Sequence, residues 1–263
     1  MLYFIGLGLF SEDDISVKAC KALNNVDVIY AEFYTAKLMG GNIDNLISRV
    51  DVPFIKLKRE DVEDRNVVLQ EAMDKDVAFV VAGDPLMATT HTELYVEAKN
   101  KGIDTRIIHG SSIFSAAPGL SGLQAYKFGK TTTVPFPDEN FFPHSPYDAI
   151  KSNLDMGLHT LVLLDIQAHR DRFMTVNEAI QYLSKVESDR GEGVFTDDTI
   201  VIGIAQAGSD NPIVKGGRVG DVVDFDFGSP LHCMIVPGNL HFVEAEALIT
   251  LADIPEKLLE QFL

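Results

Sequence analysis

An apolar run at 77–81, the turn Gly83-Asp84-Pro85 and a helical segment at 93–98 follow one another closely. Five consecutive apolar residues closed by a Gly-Asp-Pro turn read as a strand covered on both faces. Strands of that kind belong to parallel sheets. A parallel sheet needs a crossover helix to return the chain, so this stretch predicts a βαβ unit. Open α/β sheets bind small molecules outside the carboxyl ends of their strands. The turn is therefore expected to line a ligand pocket.

The same alternation runs through the first half. Strands are expected at 2–5, 26–30, 54–57, 77–81 and 105–108, and helices at 15–23, 42–50, 61–73, 93–99 and from 113 onward. Ser11 or Asp13 stands where the first helix would begin. On the 61–73 segment, Val62, Val68, Leu69 and Ala72 fall on one face and are the expected inward positions. Pro135, Pro137, Pro143 and Pro146 then break the rhythm, since proline ends helices and central strands. That stretch is read as a junction between an N-terminal α/β domain, residues 1–134, and a C-terminal α/β domain, residues 135–263. The second half is expected to carry helices at 148–154, 176–186, 241–251 and 255–263. Its strands are expected at 160–164, 199–205, 213–218 and 232–236. The strands are close together, which favours a mixed sheet over a purely parallel one. The fold class is thus α/β in two domains, a parallel sheet first and a mixed sheet second.

Composition excludes several functions. The formal net charge is −17, and no Lys/Arg cluster suits a phosphate backbone, so nucleic acid is not an expected partner. Two distant cysteines, Cys20 and Cys233, fit a reducing cytoplasm better than a disulfide framework. The apolar start at 1–10 has no basic region before it and acidic residues directly after it. It reads as neither a signal peptide nor a membrane span. No apolar run approaches the roughly 20 residues that a span needs. The seven histidines form no H-x-x-x-H, and no Cys-x-x-Cys exists, so no metal site is expected. Gly129-Lys130-Thr131 imitates the end of a phosphate loop. Gln124 stands where that loop needs glycine, and the threonines after it suggest strand rather than helix. No G-x-S-x-G elbow is present.

Candidate binding residues remain. Gly6-Leu7-Gly8-Leu9 closes the first strand, and Ser11 stands where a dinucleotide fingerprint needs its third glycine. The pair reads equally as a tight turn and as a site of close backbone approach to a ligand. Asp84 can cap its own turn or accept hydrogen bonds from a ligand. Thr89, Thr90 and Thr92 can cap the next helix or form a polar pocket wall. His109-Gly110-Ser111-Ser112-Ile113 opens a helix whose free amides suit a ligand oxygen, or is a serine cap. Leu164, Ala205 and His232 read from residue type alone as ordinary core or satisfied positions.

Taken together, these motifs resemble the diphthine synthases. The resemblance lies in Tyr3-Phe4-Ile5-Gly6-Leu7-Gly8-Leu9, in Gly83-Asp84-Pro85 continued by Ala88-Thr89-Thr90-His91-Thr92, and in His109-Gly110-Ser111-Ser112-Ile113. It continues through Pro135-Phe136-Pro137, Leu163-Leu164-Asp165-Ile166, Gly203-Ile204-Ala205 and Pro237-Gly238. Gly-Asp-Pro marks the wider tetrapyrrole methylase superfamily, and the Ala-Thr-Thr-His extension is specific to the diphthine branch. The resemblance implies a two-domain methyltransferase using S-adenosylmethionine, folded into a cleft between the domains, and a homodimer. It implies, as substrate, the modified histidine of elongation factor 2, trimethylated on its amino group on the way to diphthamide in an archaeal cytoplasm. Carried onto matching positions, it implies cofactor contacts at Leu9, Asp84, Met87, Ser112, Ile113, Leu164, Ala205 and His232, several through backbone atoms.

Methylation of an amine also needs a route for the amine proton. His91 and Asp165 stand near strand ends and are candidates for it. Two other readings stay open from the residues alone. One is a methyltransferase of the same fold acting on a corrinoid or porphyrin ring. The other is a regulator that binds adenosine ligands without catalysis. The charge disfavours a third, an RNA methyltransferase.

Overall fold

The computed structural model describes residues 1–32, 38–63 and 66–263. The chain divides into two compact units, 1–113 with 167–172, and 114–166 with 173–263. The boundary expected at 134/135 falls inside the second unit. The proline-rich stretch is preceded by a strand that pairs within the second sheet.

The first unit carries β1 (Leu2–Gly6), α1 (Val17–Leu23), β2 (Val28–Glu32), α2 (Ile43–Ser48), β3 (Phe54–Leu57), α3 (Arg59–Glu63), α4 (Val67–Ala72), β4 (Val77–Val81), α5 (His91–Asn100) and β5 (Thr105–Ile108). The strands form one sheet in the order β3-β2-β4-β1-β5, every pair parallel. The run at 77–81 lies near its middle, as its composition predicts. Val77, Phe79 and Val81 pack into one apolar cluster, whereas Ala78 and Val80 pack into a separate one. Successive strand residues point to opposite faces, so both faces of the sheet are covered.

Local details differ from the expectation in instructive ways. The helix expected over 61–73 is two helices, because Asn66 adopts φ 50° at the start of α4. Left-handed backbone interrupts a right-handed helix. Val62, Val68, Leu69 and Ala72 are all buried nonetheless. Ser11 caps a short 3₁₀ turn, Glu12–Asp14. The cap of α1 is Ser16, whose Oγ accepts from the Ala19 amide at 3.1 Å.

The second unit contains nearly all of α6 (Ile113–Ser121), then β6 (Thr132–Val134), α7 (Ser145–Asp155) and β7 (Thr160–Leu164). Two short strands, β8 (Ile166–Gln167) and β9 (Arg172–Phe173), pair with each other. The remaining elements are α8 (Val176–Arg190), β10 (Ile200–Ala205), β11 (Ile213–Arg218), α9 (Val219–Val222), β12 (His232–Val236) and α10 (Phe242–Leu251). The second sheet runs β11-β10-β12-β7-β6. Only β6–β7 is parallel, so the sheet is mixed. The helix expected over 255–263 is instead two 3₁₀ turns, Glu256–Leu258 and Glu260–Phe262. Pro255 stands at the entry of the first turn, with φ −56° and extended ψ.

A buried charge holds α10. Both Glu244 carboxylate oxygens are enclosed. They accept from Lys127 Nζ, His159 Nε2 (3.0 Å), the Gln124 amide (3.0 Å) and the His241 amide (2.9 Å). Burial pushes the Glu244 pKa up, but these donors outweigh it and bring it to about 2. The Gly238 amide donates to His159 Nδ1 at 2.9 Å, so the His159 proton sits on Nε2. Burial keeps that imidazole below its ordinary pKa. Among the described residues, no helix is long and apolar enough to cross a membrane.

Candidate cofactor site

Three strand ends crowd together in the first unit. The Leu7 amide donates to the Val81 carbonyl at 2.9 Å. Gly8 and Gly83 exchange backbone hydrogen bonds, at 3.3 and 2.6 Å. A Cβ on Gly6 or on Gly110 would overlap the Gly83 carbonyl oxygen. Glycine is thus required for three backbones to meet, and Gly8 and Gly83 also take positive φ, 93° and 74°. The tight turn and the close backbone approach, weighed separately from sequence, are one device.

Around that meeting point stand the expected first-half residues. Leu9 follows Gly8 and is half-buried. Its loop is fixed by Asp14 Oδ2, which accepts from the Phe10 and Ser11 amides at 2.7 and 3.0 Å. Asp84, 8% exposed, has both carboxylate oxygens engaged. Oδ1 accepts from the Leu86 amide at 3.1 Å, which closes the turn. Oδ2 lies 2.7 Å from Nδ1 of the exposed His109. Ser112 and Ile113 form the entry to α6, directly after Gly110. Met87 is exposed, beside Ala88, which takes φ 54°. Thr89 Oγ1 accepts from the His91 amide at 3.3 Å, whereas the Thr90 side chain makes no cap bond.

The second-half candidates share one edge of the second sheet. Ala205 ends β10 and is paired with His232 at the start of β12. Leu163 is paired with Cys233, which sets Leu164 at the same edge. Both His232 nitrogens are occupied within this unit. Nδ1 accepts from the Val176 amide at 3.4 Å, which leaves the proton on Nε2 to donate to the Ser229 carbonyl at 3.1 Å. Burial lowers the His232 pKa, consistent with a neutral ring. The Leu164 and Ala205 side chains are apolar and both His232 nitrogens are taken, so at these three residues the side chains offer a ligand no open polar group.

Of the two proton-route candidates, one is hydrogen-bonded to local backbone and the other is buried. Asp165 Oδ2 accepts from the Phe136 amide at 3.0 Å, and its carbonyl accepts from the Met174 amide. His91 is 1% exposed. His109 was legible only as part of its motif. The partner that engages it, Asp84, is 25 residues away on another turn. Among the described residues, no three His, Cys, Asp or Glu side chains gather as a metal cluster.

Comparison with known proteins adds the family. Residues 1–222 match the model of the tetrapyrrole (corrin/porphyrin) methylases. The chain is 81% identical to the diphthine synthase of Methanosphaera stadtmanae, over all 263 residues and the whole of that protein. It is 48% identical to the diphthine synthase of Methanothermobacter thermautotrophicus, again over both full lengths. A crystal structure of diphthine synthase superposes with a TM-score of 0.90 at 38% identity, covering 100% of this chain and 99% of that one. The chain therefore belongs to the tetrapyrrole methylases and, within them, to the diphthine synthases.

Proposed function

We infer that this protein is an S-adenosylmethionine-dependent N-methyltransferase of diphthamide biosynthesis, which trimethylates the amino group of the modified histidine of elongation factor 2. The observation that carries the reading is full-length identity of 81% to a diphthine synthase. The donor set of the first unit fits the cofactor. Asp84 offers a mostly buried carboxylate, and the glycines at 6, 8 and 110 let the neighbouring backbones pack where a Cβ would overlap them. Ribose hydroxyls and an ammonium group are donors that such a carboxylate accepts. Leu9, Asp84, Met87, Ser112, Ile113, Leu164, Ala205 and His232 are the proposed contacts. At Ala205 and His232 the contact is through backbone atoms.

Bound S-adenosylmethionine supplies an electrophilic methyl on a sulfonium. The chain supplies orientation. Holding an amine in line with a reacting carbon can contribute up to ~7–11 kcal/mol. The turns at 6–9 and 83–86 suit that task, because the Gly8–Gly83 backbone bonds and the Leu86 bond to Asp84 fix their shape. His91 is buried and Asp165 Oδ2 accepts from the Phe136 amide, so the amine proton is assigned to water. The protein is further proposed to act as a homodimer in the cytoplasm, on a protein and without nucleic acid.

The test is mass spectrometry of elongation factor 2 whose target histidine carries the amino-carboxypropyl group. Incubation with this protein and S-adenosylmethionine should add up to three successive methyl increments to that histidine. No increment, from a protein that binds the cofactor, would overturn the reading. Methylation of a corrinoid or porphyrin offered in parallel would replace it.

A further inference from the structure

His91 is the one residue of the Ala-Thr-Thr-His extension that is buried, and no step above uses it. Its ring is edge-on to Phe79 of β4, 4.9 Å between centroids and 85° between planes. Nδ1 lies 3.3 Å from the carbonyl oxygen of Pro85. Nε2 is buried with no hydrogen-bond partner among the described residues and lies 3.8 Å from Oε2 of Glu32, at the end of β2. Burial pushes the ring down to about 4, so it carries a single proton near neutrality. A carbonyl can only accept, which assigns that proton to Nδ1. A buried nitrogen without a partner costs stability, and an apolar residue would avoid the cost. The fold retains the imidazole where its one N–H reaches the turn that carries Asp84.

We propose that His91 is a positioning residue for the cofactor, which fixes the Gly83-Asp84-Pro85 turn through the Nδ1–H bond to the Pro85 carbonyl. The proposal rests on the reading that this turn binds S-adenosylmethionine. Proline has no amide to hold its own position in a network, so its carbonyl is the handle by which the turn is set. From the first residue of α5, His91 therefore controls where the Asp84 carboxylate points.

Three variants separate the ring's two nitrogens. His91→Asn keeps a donor near Nδ1, His91→Gln places one near Nε2, and His91→Leu keeps neither. Calorimetric titration with S-adenosylmethionine should give a dissociation constant for His91→Asn within about threefold of the parent. His91→Gln and His91→Leu should bind roughly tenfold more weakly, the size of one lost hydrogen bond. KM for the cofactor should rise with them, and kcat should change less. In the cofactor-free protein, the Leu86 amide should exchange faster in His91→Gln than in His91→Asn. Equal affinity of His91→Leu and parent, or of His91→Asn and His91→Leu, would overturn the proposal. Should His91→Leu fail to fold, equal affinity of His91→Asn and His91→Gln would overturn it by itself. A parent that binds no cofactor would remove the functional reading and this proposal together. A parent that binds as well as every variant would remove the proposal alone.

Discussion

The two sheets place their polar chemistry differently. In the first unit the strands are parallel and covered on both faces, and the polar groups gather where β1, β4 and β5 end. There the construction is mostly backbone: glycines 6, 8, 83 and 110, with Asp84 as a buried carboxylate. In the second unit the strongest polar cluster is Glu244 with Lys127 and His159, and it is enclosed and satisfied. A carboxylate that receives four donors has no capacity left for a ligand. Charge density is thus a poor guide to the site in this molecule. The backbone meeting point is a better one.

Four experiments sharpen that contrast. The largest effect on stability belongs to the second unit. Glu244→Ala leaves the buried His159 N–H without its acceptor and the half-buried Lys127 ammonium with only the Asn239 carbonyl, and should cost about 3–5 kcal/mol in urea denaturation. Its folded form should bind S-adenosylmethionine as the parent does. Acid should act on the same cluster. The Glu244 pKa is depressed to about 2 in the folded protein. Its contribution is therefore present above the unfolded value near 4.5 and is lost as pH falls from there toward 2. Unfolding free energies between pH 5 and 3 should fall steeply in the parent and less so in Glu244→Gln.

The first unit should respond in affinity more than in stability. Gly110→Ala drives a Cβ against the Gly83 carbonyl and should cost about 1–3 kcal/mol, with cofactor affinity reduced at least tenfold. Gly83→Ala meets no atom within 4 Å and pays only for its φ of 74°, about 1 kcal/mol. The pair separates steric overlap from backbone strain by differential calorimetry. Asp84→Ala should cost as little as Gly83→Ala, about 1 kcal/mol for the lost turn bond to Leu86 and the contact to the exposed His109. Its loss of cofactor affinity in calorimetric titration should nonetheless be at least tenfold. An unchanged affinity would make Asp84 a turn residue only.

Much of this was legible before the structure. The apolar run at 77–81 and the Gly-Asp-Pro turn are local signals; they named the parallel sheet and the place proposed here for the site. The glycines at 6, 8 and 110 were legible as unusual, but not that they meet. That depends on the strand order, in which β1 lies between β4 and β5. The split of the 61–73 helix rests on one left-handed residue, Asn66, which no periodicity reports. The prolines were read as a domain junction, whereas the strand at 132–134 pairs with β7 and the compact units divide near 113/114. Leu164, Ala205 and His232 needed the family resemblance. Their side chains are spent on packing, or on Val176 and Ser229, so residue type is silent about them.

The central claim is that the ends of β1, β4 and β5 hold the methyl donor. A crystal structure with S-adenosylhomocysteine, the spent cofactor, tests it most directly. The account predicts the ligand against Leu9, Asp84, Ser112 and Ile113, with its path close to Gly83. A well-ordered ligand that touches none of these four residues would contradict it.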